Sequence, residues 1–315
     1  VRKEEPLAKH TTFRIGGPAK WFVEPDSAEQ LAACIKYLEE VQMQWYILGN
    51  GSNLLAADEG YDGVILSLHR MNKEAEQIGE LHQIRILPAD ASETEKAAVL
   101  EEYGVKQCIS TAKAYVSAGA GVMLSTLAAR IADQGLAGFE FAGGIPGTLG
   151  GAVTMNAGAY GGEIKDIIVS ADVLDRSGRL ISLSRDELEL GYRTSCIAAM
   201  DYIVVSAVFR LQKGDTDTIK ALIKELAVKR RAKQPLEYPS AGSTFKRPQG
   251  FFAAKLIEDA GLKGVSVGGA MVSEKHSGFV VNAGNATAKD VCMLTDMVKD
   301  KVKQQSGVDL ELEVI

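Results

Sequence analysis

The chain has 315 residues, 46% of them hydrophobic and 24% charged, with a formal net charge of −6. That apolar fraction is enough for a sizeable core and the charge is too small for a disordered or supercharged chain. The acidic balance argues against nucleic acid as the main partner, no apolar run is long enough for a membrane span, and the first 25 residues lack the apolar stretch of a secretory signal. The chain opens on Val1 and reaches a dense motif within a dozen residues, which suggests a trimmed N-terminus.

In chain order, Ser27-Ala28-Glu29-Gln30 reads as a capping box opening a helix whose apolar stripe is Leu31, Cys34, Ile35 and Leu38. A strand at 45–48 then runs into Gly49-Asn50-Gly51-Ser52-Asn53, a loop that continues neither kind of element. Residues 63–67 make another strand, and Leu124, Leu127 and Ile131 line a helix closed by Gly135 at its C′ position. The alternation over 170–184 predicts a hairpin turning at Arg176-Ser177-Gly178, and 202–211 predicts a further strand.

Beyond Lys213-Gly214-Asp215 the pattern changes to an amphipathic helix with Ile219, Leu222, Ile223 and Leu226 on one face, ended by Pro235. A domain boundary is therefore placed near 212, giving domains of 1–211 and 212–315. A last helix begins at Thr287, with Asp290 in its first turn and Val291, Leu294, Val298 and Val302 as its buried stripe. Strand-like pieces at 278–282 and 310–315 bracket it.

The four cysteines, Cys34, Cys108, Cys196 and Cys292, are far apart and form no paired motif, which fits reduced thiols in a cytoplasmic protein. His10, His69, His82 and His276 are equally scattered, so no metal site is expected. Glycine is different. The chain carries 32 glycines, about a tenth of its residues where roughly 7% is usual, without a repeat to explain them. They concentrate at 49–53 and along 143–162. Glycines let successive backbone N–H groups turn toward one point and let a ligand approach the main chain, which is how pyrophosphates are held. Neither segment fits the dinucleotide fingerprint GxGxxG or the P-loop pattern.

The strings HTTFRIGGPA at 10–19, LGNGSNLL at 48–55, GFEFAGGIPGTLGGAVTMNAGAYGGEIKD at 138–166, YRTS at 192–195, PSAGSTFKRP at 239–248 and LELEV at 310–314 resemble the MurB family of UDP-N-acetylenolpyruvoylglucosamine reductases, in the shorter form without the extra substrate loop. Order and spacing match over nearly the whole chain. The resemblance implies an α+β protein: a two-part FAD-binding domain of the vanillyl-alcohol-oxidase (PCMH) class, then a C-terminal α/β substrate-binding domain. FAD contacts are implied for Gly49, Asn50, Gly51, Ser52 and Asn53, for Gly119 of AGAGV, and for Gly143, Gly144, Ile145, Gly147, Thr148, Gly150 and Gly151. Asn156 and Gly158 complete the set. No histidine stands in 49–53, so the FAD is expected to be non-covalent.

The implied reaction reduces the enolpyruvyl ether of UDP-N-acetylglucosamine enolpyruvate to a lactyl ether, yielding UDP-N-acetylmuramate for peptidoglycan synthesis. NADPH reduces the flavin, and flavin N5 then gives hydride to the methylene carbon. By residue match, Arg193 of YRTS stabilises the enolate-like charge, Ser243 of GSTFK gives the proton, and Glu313 of LELEV assists. Glu311 and Glu313 share a face in a strand, so spacing alone leaves both open. Tyr192, Lys233, Lys246 and Arg247 are the candidates for the UDP diphosphate, Lys246 and Arg247 adjoining Ser243 and Lys246 ranked above Lys233. The resemblance implies a cytoplasmic enzyme, expected to be monomeric, with neither nucleic-acid nor membrane partners. Roughly 40 residues between the 63–67 strand and AGAGV form an insertion near 73–113, read as a surface decoration. Another FAD oxidoreductase of the same fold, and a non-catalytic nucleotide-binding module, are the alternatives.

Overall fold

The structure, a computed structural model, describes residues 1–72, 84–87, 92 and 113–315. Most of 73–113, the expected insertion, therefore lies outside the described residues, and with it His82 and Cys108. The elements are, in order, β1 (Arg2–Pro6), β2 (Pro18–Val23), α1 (Ala28–Glu40), β3 (Trp45–Leu48), β4 (Tyr61–Ser67), β5 (Ile84–Leu87), β6 (Lys113–Gly119), α2 (Leu124–Asp133) and β7 (Leu136–Ala137). There follow α3 (Leu149–Thr154), β8 (Gly158–Ala159), β9 (Gly162–Glu163), β10 (Ile168–Leu174), β11 (Leu180–Ser184), α4 (Cys196–Ala199), β12 (Ile203–Lys213) and α5 (Thr216–Lys233). The C-terminal part adds α6 (Ala253–Asp259), β13 (Ser266–Val267), β14 (Ala270–Val272), β15 (Val280–Asn282) and α7 (Ala288–Ser306). Among the described residues no helix is long and apolar enough to cross a membrane. The chain divides into two compact units, one of residues 1–22, 50–65 and 229–315, the other of 23–49 and 66–228.

The second unit is built on an antiparallel sheet in the order β11–β10–β12–β6–β5, with β7 also paired to β12. Its central strands supply buried Val116, Ala118, Ala207, Phe209 and Leu211, and α2 contributes Leu124, Leu127 and Ile131 to the core. Helix α2 stops where expected, with Gly135 in left-handed backbone at φ +64°. Phe139 meets Phe209 edge to face at 5.4 Å, closing the core beside the glycine-rich segment that follows.

Local chemistry explains the predicted hairpin. Asp175 accepts from the Ser177 hydroxyl and amide and from the Arg179 amide, so the side chain shapes the turn between β10 and β11. The Ser177 hydroxyl is the main reason that its carboxyl is held down at about 2, with the Arg179 amide next. Arg176 leaves that turn to lie 5.0 Å over Trp45 and 2.8 Å from Glu39. Two expectations need correction here. The capping box of α1 is one-sided, because Ser27 Oγ accepts from the Gln30 amide while the Gln30 side chain accepts from Asp26 rather than from Ser27. The stripe of α5 is thinly covered: Ile219 is buried, but Leu222 is exposed and Ile223 and Leu226 are half-buried.

In the first unit, β1 pairs antiparallel with β2, and β13–β14–β15 form a small antiparallel sheet under α6 and α7. Phe13, Ile15, Phe245, Ile257, Val280 and the α7 stripe Val291, Leu294, Val298 and Val302 form one buried cluster. The stripe is the one the periodicity predicts. Thr287 and Asp290 make a complete reciprocal capping box at the start of α7. Asp58 adds a carboxylate there, accepting from the amides of Ala288 (2.7 Å) and Lys289 (3.0 Å), so the segment after the 49–53 loop is tied to this helix. The predicted strand at 310–315 is instead a single bridge, Leu312 to Phe245, within an extended tail.

Candidate active site

The first glycine loop is held by close backbone approaches. Gly51 has φ +57°, and a Cβ there would lie 2.2 Å from the His10 carbonyl oxygen. Its own carbonyl accepts from the Thr12 amide at 3.1 Å, and Thr12 Oγ donates to the Ser240 carbonyl at 2.7 Å. Among the described residues no backbone carbonyl accepts from the amides of Gly51, Ser52 or Asn53. Gly51→Ala combines a left-handed alanine with a main-chain clash, so it should destabilise the fold by about 2 kcal/mol or more. A shift of the urea midpoint checks this; an alanine variant as stable as the parent would contradict it.

Gly49, in the second unit, lies against the second loop: a Cβ on it would stand 2.6 Å from Thr148 Oγ. Thr148 is buried and precedes α3. The amides of Leu149 and Gly150 donate to the carbonyls of Val122 and Ala120, both at 2.8 Å, which pins this loop to the end of β6 where Gly119 pairs with Ser206. A Cβ on Gly150 would stand 2.9 Å from that of Ala120, so close packing accounts for this glycine. Gly143 packs against Ile223 of α5 in the same way. The amides of Gly147 and Thr148 have no backbone acceptor among the described residues.

Asn156 organises the next turn. It is fully buried, sits at φ +44°, donates through Nδ2 to Glu163 (2.6 Å) and to the Gly191 carbonyl (2.8 Å), and accepts from the Lys165 amide (2.9 Å). Gly158 lies in β8, where a Cβ would meet Glu163 at 2.8 Å. Asn156, expected with Gly158 as a cofactor contact, also ties this turn to Gly191, two residues before Arg193. Gly191 and Thr194 close a tight turn on each other, Ser195 caps α4 and bonds the Thr154 carbonyl, and Arg193 is held between them at φ +55°. Arginine in that region carries strain, and strain concentrates at working sites. Its guanidinium reaches the Gly158 carbonyl at 3.4 Å and lies 5.1 Å over the ring of exposed Tyr192.

Ser243 and Glu313 come together in the first unit. Thr244, next to Ser243, is buried and makes three bonds: its amide donates to the Gly278 carbonyl, its hydroxyl accepts from the Val280 amide, and its carbonyl accepts from the Glu313 amide at 2.9 Å. Ser243 is thus one residue from the partner of Glu313. The Gly278 amide donates to Nδ1 of His276, and burial holds that imidazole below its usual range, consistent with a neutral acceptor. The structure separates the two terminal carboxylates. Glu311 is 75% exposed and bonds Lys246 at 3.2 Å, whereas Glu313 is half-buried. Lys246 is engaged there, and Arg247 lies 4.0 Å over the Phe252 ring with its Nε directed at the Phe251 carbonyl. Lys233 closes α5 as an exposed charge. Thr244 was not singled out from the sequence, because a threonine between a serine and a phenylalanine carries no signal for its non-local partners.

Comparison with known proteins bears directly on these loops. The family described as "UDP-N-acetylenolpyruvoylglucosamine reductase, C-terminal domain" matches residues 234–315, and an FAD-binding domain family matches 19–89 and 92–184. A UDP-N-acetylenolpyruvoylglucosamine reductase of Lachnoclostridium phytofermentans is 51% identical over 315 residues, covering 100% of this chain and 92% of that protein. The chain belongs to the UDP-N-acetylenolpyruvoylglucosamine reductase family. A reductase of Clostridium tetani is 46% identical over the same length, with 91% of that protein covered. The crystal structure of the reductase MurB from Thermus caldophilus is similar with a TM-score of 0.74 at 30% identity, covering 98% of this chain and 96% of that one. The expected α+β class, an FAD-binding domain followed by the reductase C-terminal domain, is borne out. As a member of this reductase family the chain is an FAD-dependent oxidoreductase. Taken separately, each glycine loop fits a phosphorylated cofactor: among the described residues the amides of Gly51, Ser52 and Asn53, and those of Gly147 and Thr148, have no backbone acceptor and can donate to a phosphate.

Proposed function

We propose that this reductase converts UDP-N-acetylglucosamine enolpyruvate to UDP-N-acetylmuramate with NADPH as the reductant, in the cytoplasmic synthesis of peptidoglycan precursors. The balance is one NADPH and one proton consumed per enolpyruvyl ether reduced, with NADP⁺ and the lactyl ether as products. Bound FAD would supply the hydride relay between the nicotinamide and the methylene carbon. Its diphosphate, bound without covalent attachment, would find donors in the amides of Gly51, Ser52 and Asn53 of the first unit; the amides of Gly147 and Thr148 of the second unit are separate donors for the cofactor.

Arg193 offers a planar, permanently charged fork to the substrate carboxylate, whose negative charge grows as hydride arrives. Ser243 Oγ then gives its proton to the adjacent carbon, and Glu313 supports that transfer. A serine hydroxyl is a weak acid, so position must do much of the work. The observation that carries the reading is the pairing of the Ser243 segment with the Glu313 segment through Thr244. Tyr192, Lys233, Lys246 and Arg247 take the uridine diphosphate, with Lys246 exchanging Glu311 for phosphate. In this reading residues 1–211 serve the cofactor, apart from Tyr192 and Arg193 which meet the substrate, and 212–315 serve the substrate, in a monomer.

Anaerobic titration of the purified holoenzyme tests the proposal. NADPH should bleach the visible flavin absorption, and UDP-N-acetylglucosamine enolpyruvate should restore it with one equivalent of lactyl product. Bleaching with NADPH but no recovery on adding the enolpyruvyl substrate would overturn the reading.

A further inference from the structure

We propose that Asn53 is a positioning residue for Glu313, its carboxamide acting on the extended tail that carries this acid rather than on the cofactor. The inference rests on the role given to Glu313 above. Asn53 Nδ2 donates to the Glu313 carbonyl at 3.0 Å. The main chain repeats the connection two residues on: the Ile315 amide donates to the Asn53 carbonyl at 3.1 Å, and the Leu55 amide donates to the Ile315 carbonyl at 2.8 Å. On its other side the Glu313 amide donates to Thr244 at 2.9 Å. The peptide groups flanking Glu313 are thus held from two directions, by the residue after Ser243 and by the last residue of the 49–53 loop.

Both polar groups of the Glu313 main chain are engaged, so the backbone from which its carboxylate projects has little freedom. Its carboxylate can be aimed only as well as that backbone is fixed, and a small displacement of a catalytic group is costly in rate. Asn53 also sits where FAD phosphate binding is expected. One N–H of its side-chain amide goes to the Glu313 carbonyl, while among the described residues the amides of Gly51, Ser52 and Asn53 keep no backbone acceptor and can serve the cofactor. One loop would then register the cofactor through its main chain and the acid through its last side chain.

Asn53→Leu keeps the volume and removes the donor; Asn53→Ala serves if leucine does not fold. The holoenzyme variants are read by FAD dissociation constant, by flavin reduction with NADPH, and by reoxidation with the enolpyruvyl substrate. FAD affinity should stay within about threefold and reduction should be unchanged, while reoxidation slows about tenfold with KM little altered. In a Glu313→Gln background the same substitution should add almost nothing, because both changes remove one function. Asn53→Gln, which restores a donor, should recover part of the rate. A large loss of FAD affinity, an equal loss in both half-reactions, or full additivity with Glu313→Gln would overturn the proposal. If Glu313→Gln slows reoxidation and Asn53→Leu does not, the positioning role fails alone. If Glu313→Gln has no effect, the assignment of Glu313 fails and takes the positioning role with it.

Discussion

Ser243→Ala should leave flavin reduction by NADPH at its normal rate and slow reoxidation by the enolpyruvyl substrate about 10²- to 10⁴-fold, the usual range for loss of a positioned general acid. The expectation depends on the fold surviving, and the contacts around Ser243 indicate that it will. Thr244, not Ser243, carries the bonds to Gly278, Val280 and Glu313, and among the described residues the Ser243 hydroxyl makes no bond that holds the segment. Single-turnover stopped-flow measurements of the two half-reactions separate the cases. Equal loss in both would mean that the hydroxyl serves the cofactor or the fold. Ser243→Cys, which keeps a transferable proton on a larger and more acidic atom in nearly the same place, should recover part of the reoxidation rate. A cysteine variant no faster than alanine would show that the geometry of the oxygen, not merely a proton on the side chain, is required.

How far the sequence foretold this site depends on how local each contact is. Helix α7 was legible because its capping residues lie three positions apart and its stripe repeats with the helical period. The β10–β11 turn was legible because Asp175, Ser177 and Arg179 bond one another. The tail at 310–315 alternates like a strand, but its partners are Asn53, Leu55, Thr244 and Lys246, far away in sequence, and they leave only one regular bridge. Strand periodicity reports a face, not a partner. Thr244 and the Asn53 side chain act through those same non-local pairings, so nothing in the chain near them signals the role. The thin cover on Leu222 of α5 has a related cause, since an apolar stripe states what a helix can bury and not how much will lie against it.

Arg193 gives the clearest conflict between local preference and position, and that conflict yields the second large prediction. A non-glycine residue at φ +55° gains by becoming glycine, because left-handed backbone costs an L-residue about 1–2 kcal/mol. Opposing this, glycine has more chain entropy to lose on folding, and the guanidinium gives up its long 3.4 Å bond to the Gly158 carbonyl and its contact with Tyr192, a cation–π pair of about 0.5–1 kcal/mol at an exposed site. These terms nearly cancel, so Arg193→Gly should fold about as stably as the parent. Its chemistry should not survive. Removing the charge that meets the developing enolate should slow reoxidation about 10²- to 10³-fold, the loss seen when one preorganised electrostatic partner is deleted. Arg193→Lys keeps the charge without the bidentate fork, so it should lie between the two. Thermal unfolding beside stopped-flow reoxidation decides the matter. If the arginine serves only the turn that Gly191, Thr194 and Asn156 already close, stability and rate should fall together. A catalytic role instead predicts unchanged stability with the rate lost, and the left-handed backbone is then the strain accepted to place this side chain.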